Sequence, residues 1–151
     1  MACKIRPAVE ADAEAISGVI LATLRESNAK DYSAGIIDRV ARSFSPIGVR
    51  KLLSSRTVFV AVDDGIVVGT AGLEGSVVRT MFVSPSMQRR GVGAQLMEAI
   101  EQAAIARGIV TLSVPSLMTA QGFYERLGFH AVGEHFHGEE RTILMERLLR
   151  S

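Results

Sequence analysis

The stretch from Thr57 to Val83 constrains the fold more than any other part of the chain. It holds three runs rich in β-branched and apolar residues: TVFVAV (57–62), IVVGTAG (66–72) and VVRTMFV (77–83). Only short turns separate them, Asp63-Asp64-Gly65 and Glu74-Gly75-Ser76. Runs of this length and composition read as strands, and connections this short make consecutive strands pair antiparallel. Gly65 accepts the positive φ that a tight hairpin needs. The third run is mostly apolar instead of alternating, which predicts a strand in the middle of the sheet.

The flanking segments change period. Lys4-Ile5-Arg6 is a short strand. From Glu10 to Arg25, the apolar residues Ala13, Ile16, Val19, Ile20 and Leu24 fall at helical spacing. Acidic Glu10, Asp12 and Glu14 stand near its start, where the helix dipole favours them. Residues 27–33 are a polar connection. Ile36, Ile37, Val40 and Phe44 mark a second helix, interrupted at Pro46 and Gly48, and Val49, Leu52 and Leu53 mark a further turn or two. The clearest helix runs from Gly93 to Arg107, with Gly108 placed as its C-terminal cap. Ile109 to Val114 reads as a strand ended by Pro115, and Thr119 to Leu127 as a short helix before Gly128. Phe129 to Phe136 and Arg141 to Leu149 are two last strands joined by a turn at His137-Gly138-Glu139.

This order predicts an α/β (α+β) fold in one domain spanning 1–151: a mixed, mostly antiparallel sheet with helices on both faces. A chain of 151 residues buries a full core without disulfides or a structural metal. A net charge of +1 gives no bulk attraction to nucleic acid, so no nucleic-acid partner is expected. The one cysteine, Cys3, has no partner within the chain and suits a reducing compartment. No apolar stretch is long enough to span a bilayer, and no basic-then-apolar leader opens the chain. The expected location is the cytoplasm, with no membrane partner.

After the central strand the chain reads SPSMQRRGVGAQLMEAI. Two glycines and two arginines gather where a helix begins. The first turn of a helix leaves backbone N–H groups unpaired, and its dipole is positive there. Gly91 and Gly93 carry no Cβ to keep a phosphate away, and Arg89 and Arg90 add positive charge. A pyrophosphate suits such a loop. The P-loop pattern fails because Ala94-Gln95 stands where Lys-Ser/Thr is required, and the Rossmann pattern fails at Leu96. On its own, the loop also reads as a glycine turn that merely starts a helix.

Gln88-x-x-Gly91-x-Gly93, following a strand that ends Phe82-Val83 with Pro85 two residues on, resembles motif A of the GNAT superfamily of N-acetyltransferases. Thr119 to Phe129, TAQGFYERLGF, resembles motif B of the same superfamily. The two stand in the expected order with a strand between them, and the element order matches the family topology from end to end.

The resemblance implies acetyl-CoA as co-substrate. Backbone N–H groups of Arg89, Arg90, Gly91, Val92, Gly93 and Ala94 would bind its pyrophosphate. The backbone of Phe82 and Val83 would pair with the pantetheine arm, in a gap between the strands 77–83 and 109–114. Many family members place an asparagine seven residues before the motif-B tyrosine; Leu117 stands there, and Ser116 is the nearest substitute. Tyr124 occupies the family's general-acid position. A tyrosine of pKa about 10 is protonated at neutral pH and able to donate to a thiolate of pKa about 8.5.

The acceptor side is less marked. Asn28, Asp31 and Tyr32 in the polar connection, with Arg79 on the central strand, are the candidate substrate contacts. Glu74, Glu134, His135 and His137 are candidate bases, none of them favoured. His135 and His137 share a strand face, but no third ligand stands at suitable spacing, so no metal is expected. The implied activity is direct acetyl transfer to a primary amine of a small molecule. The alternatives are a protein lysine or N-terminal acetyltransferase, and a non-catalytic acyl-CoA-binding module that would have no use for an acid at Tyr124. A homodimer through the last strands is a candidate assembly.

Overall fold

The computed structural model describes residues 3–26, 33–137 and 140–149. Strand β1 (Lys4–Pro7) leads through a 3-10 turn at Glu10–Asp12 into helix α1 (Ala13–Glu26), followed by α2 (Ala34–Arg42) and α3 (Pro46–Ser55). The meander is β2 (Thr57–Asp63), β3 (Ile66–Glu74) and β4 (Val77–Val83). Helix α4 (Val92–Ala106), β5 (Thr111–Leu117), α5 (Gln121–Arg126), β6 (His130–His137) and β7 (Glu140–Leu148) complete the order. The strands form one sheet in the order β1-β2-β3-β4-β5-β7-β6, and β4–β5 is its parallel pair. This is the expected mixed, mostly antiparallel sheet. Candidate substrate residues Asn28, Asp31 and Tyr32 lie outside the described residues, as do Gly138 and Glu139 of the last turn.

Apolar residues pack on both faces of the sheet. On one, Leu96, Met97 and Ile100 of α4 and Tyr124 of α5 meet Leu73, Val78, Leu112 and Met145. On the other, Ile16, Ile20 and Leu24 of α1, with Ile36, Ile37 and Val49 of α2 and α3, meet Val58, Val60 and Phe82. The first hairpin closes with Asp64 and Gly65 both at positive φ (52° and 78°), the geometry of a type I′ turn. The first helical stripe begins later than its pattern suggests. Asp12 accepts the Val9 N–H at 2.8 Å and two Arg6 guanidinium bonds at 2.8 and 3.0 Å, closing the 3-10 turn before α1 starts.

Strand β4 is not regular. Val78 is buried against α4 and Phe82 against α1, although residues four apart on a regular strand share a face. The register explains it. Thr70 faces Phe82 and Gly72 faces Arg79, so β4 carries one residue more than β3 over this span. Thr80 within that span takes φ 49°, a conformation that costs a β-branched residue about 1–3 kcal/mol. The bulge swaps the faces of everything after it on β4.

Pro115 does not end its strand. It lies inside β5, opposite Leu144 of β7. The Leu149 N–H bonds the Val110 carbonyl at 2.7 Å, which makes Thr111–Leu148 a non-bonded rung. By alternation, the backbone groups of Ser113, Pro115 and Leu117 point away from β7 and toward β4. Proline therefore costs the β5–β7 ladder nothing. Its missing N–H falls on the β4 side.

Candidate active site

The β4–β5 pair is where the sheet opens. The strands are in register at Val77 opposite Ser113, and the Ser113 N–H donates to the Ser76 carbonyl at 3.0 Å. Two residues further along β5, Pro115 has no N–H to continue the ladder. On β4, the Ser84 N–H bonds the Val68 carbonyl at 2.8 Å, so Val83–Gly69 is a non-bonded rung and the N–H and carbonyl of Val83 face away from β3. The Val83 carbonyl accepts the Gln88 side-chain amide and the Thr23 hydroxyl, each at 3.1 Å. Phe82 is different. Its backbone groups fall on the rung shared with Thr70, inside the β3–β4 ladder. Of the two residues expected to pair with an extended arm, geometry leaves the Val83 N–H for that role, its carbonyl being taken by Gln88 and Thr23, and commits Phe82 elsewhere. Thr23 had no sequence signal beyond its place in a helical stripe.

The start of α4 lies just beyond Val83. Helices α2 and α3 are capped by Ser33 and Ser45, whose hydroxyls accept the N–H groups of Ile36 and Gly48. Helix α4 has Gly91 at its cap (φ 80°), no side-chain cap and no acidic residue in its first turn. The Gly91 carbonyl accepts the Gln95 N–H at 3.1 Å, leaving the N–H groups of Val92, Gly93 and Ala94 without an intrahelical acceptor. Arg89 (φ 65°), Arg90 and Gly91 are exposed around them. An uncapped, cation-flanked helix start fits an anion of pyrophosphate size.

Gly93 has another role than the one expected. A Cβ there would lie 2.6 Å from Cζ and 2.7 Å from Cε1 of Phe123, so the missing side chain makes room for the α5 ring, not for a phosphate. Gly91 is glycine for its backbone angle; a Cβ at that position meets nothing within 4 Å. The Gly93–Phe123 contact locks the anion loop to the segment that bears Tyr124.

Ser116 lies on the core side of β5. It is 1% exposed, and its hydroxyl donates to the adjacent Leu117 carbonyl at 2.8 Å. On β5 it shares the buried face of Leu112 and Val114. Tyr124 is 4% exposed and sits edge-on to Phe123 and Phe129, with ring centroids 5.1 and 5.7 Å away. Burial raises its pKa well above the usual tyrosine value, so it stays protonated.

Arg79 lies on the α1–α3 face. Its Nε is 3.4 Å from the Glu74 carboxylate, whose other oxygen is 3.7 Å from Nε of Arg56. Held between two cations, Glu74 is not arranged as a free base. Glu134 is paired with Arg141, and His135 is exposed on β6.

Residues 20–145 match the acetyltransferase (GNAT) domain family. Across 99% of this chain and 97% of the other, the fold superposes on a GCN5-related N-acetyltransferase from Rhodopseudomonas palustris with a TM-score of 0.92 and 26% identity. The PaiA N-acetyltransferase from Thermoplasma acidophilum, solved with coenzyme A, matches at a TM-score of 0.82 and 18% identity over 98% of this chain and 99% of its own. An aminoglycoside 6'-N-acetyltransferase complexed with coenzyme A matches at 0.73 and 15% over 98% of each. The parted sheet and the uncapped helix thus belong to an acyl-transferring enzyme fold. This chain is a member of the GNAT acetyltransferase family, whose donor is acetyl-CoA. Among the described residues, no helix is long and apolar enough to cross a membrane.

Proposed function

We propose that this chain transfers an acetyl group from acetyl-CoA to a primary amine of a small molecule, by direct attack while both substrates are bound. The observation that carries this reading is the meeting of two features at one end of the sheet. The Val83 edge faces away from its ladder, and the α4 start offers three unpaired N–H groups. The phosphates would rest on Arg89 through Ala94, and the pantetheine arm would run along Val83 in the opening past Ser113. The neutral amine attacks the thioester carbonyl carbon. A backbone N–H at the β4 edge stabilises the oxyanion. As the C–S bond breaks, the thiolate takes the Tyr124 proton, the new amide releases one to solvent, and solvent returns one to the Tyr124 phenolate.

A small acceptor is supported by the packing of α1 over β3 and β4, with Thr23 reaching the Val83 carbonyl. That face of β4 is roofed, not open as a flat surface is. Thiol release from acetyl-CoA, measured with the purified chain and a panel of polyamines, amino acids, amino sugars and lysine peptides, tests the reading. Turnover is expected with a small amine. Preference for peptides would make the acceptor a protein, and coenzyme A binding without turnover on any amine would make the chain a binding module.

A further inference from the structure

Two guanidinium groups share one carboxylate beside the parting strands. Glu74 and Arg79 lie on one face of the β3–β4 hairpin: Glu74 is opposite Val77, and Arg79 is two residues further on, before the bulge. Arg56 reaches the same carboxylate from the end of α3. The cluster therefore carries a net charge of +1. Its pairing is also incomplete. The Nε atoms of Arg56 and Arg79 are enclosed and make no hydrogen bond, although both face Glu74 at ion-pair distance. Opposite Arg79 on β3 is Gly72, which places no side chain on that face. Across the opening, Val77 pairs with Ser113, so the cluster sits beside the rung from which the gap begins. Arg79 is two residues inside the gap, on the face roofed by α1.

We infer that the acceptor amine carries a carboxylate, and that Arg79, backed by Arg56 and Glu74, selects it. The inference rests on the acetyltransferase reading above and names the acceptor class. Glu74 holds the two arginines in place without neutralising both. With its Nε turned to Glu74, the half-exposed Arg79 would offer its terminal amino groups to a substrate carboxylate, in the bidentate geometry guanidinium groups favour. Lysine side chains of proteins and simple polyamines carry no such group and would gain nothing there.

The test uses matched acceptors: glycine, β-alanine, γ-aminobutyrate and L-glutamate, each against its carboxamide, at saturating acetyl-CoA. A carboxamide beside the amine lowers the amine's basicity, so reactivity alone favours the carboxamides. The inference predicts the reverse, with kcat/KM at least about tenfold higher for a carboxylate acceptor, the size of one charge-assisted hydrogen bond. Arg79→Gln is expected to erase that preference through KM while leaving the melting temperature and coenzyme A affinity unchanged. Arg79→Lys is expected to restore part of it. An ion pair that only fastens α3 to the hairpin would lower the melting temperature and leave the preference intact, which would overturn the inference. Turnover confined to amines without a carboxylate would overturn it and leave the acetyltransferase reading standing. No turnover with any amine would overturn both.

Discussion

Replacing Gly93 by alanine separates two accounts of the glycine. If Gly93 serves only phosphate access, Gly93→Ala is harmless to the fold and even favourable, since alanine exceeds glycine in helix propensity by about 1 kcal/mol. The structure predicts a penalty. Carbon atoms pack at about 3.5–4.0 Å, and the new methyl would sit 2.6 Å from the Phe123 ring, so the ring must move by about 1 Å. That ring is packed edge-on to Tyr124 at 5.1 Å. Overpacking of this kind costs about 1–3 kcal/mol, against a propensity gain reduced by the first-turn position. The net loss is about 1–2 kcal/mol, or a melting temperature lower by roughly 2–8 °C for a chain of this size. Phe123→Ala removes the obstacle, so in that background Gly93→Ala should stabilise, and the sign of the effect inverts. Thermal and urea unfolding of the four variants measures the coupling. Stabilisation by Gly93→Ala with Phe123 intact would refute the reasoning, as would an equal penalty without the ring.

Tyr124→Phe keeps the contacts with Phe123 and Phe129 and removes only the hydroxyl, so kcat should fall by about a hundredfold with coenzyme A affinity unchanged; an unaltered rate would reduce Tyr124 to packing. Gly91→Glu places a carboxylate, in a strained backbone conformation, at the start of α4 and should abolish coenzyme A binding by calorimetry. Asp12 has its pKa lowered, first by the Arg6 hydrogen bonds, so its stabilising effect is present above the unfolded value near 3.9 and is lost as pH falls through the folded value. Asp12→Asn should therefore destabilise at pH 7 in urea titrations, and the difference from wild type should close at low pH.

Local signals explain what the sequence made legible. Asp64-Gly65 is a turn by its own chemistry, and the stripe from Leu96 to Ala104 is a helix by its own period; both appear where expected. The anion loop was readable because glycines, arginines and a helix start are adjacent in the chain. The features that escaped the sequence depend on partners distant in it. Thr80 has nothing in its identity to announce positive φ; the bulge arises because Val78 and Phe82 are drawn into opposite cores. Pro115 looked like a strand end because proline breaks ladders, yet only the pairing with β7 shows that it breaks the one on the β4 side. Gly93 and Phe123 are thirty residues apart, so no local rule links them. Glu74 read as a turn residue until Arg56 and Arg79 were seen on either side of it.

In the proposed function coenzyme A lies between the α4 start and the parted edge of β4. Titration of the isotope-labelled chain with coenzyme A, followed by amide chemical shifts, tests that placement most directly. The largest shifts are predicted at Val83 and from Arg89 to Ala94, with those of His130 to Phe136 on the far edge unmoved. Shifts centred instead on the groove lined by Glu101, His130 and Arg147, with the Val92–Ala94 amides still, would contradict it.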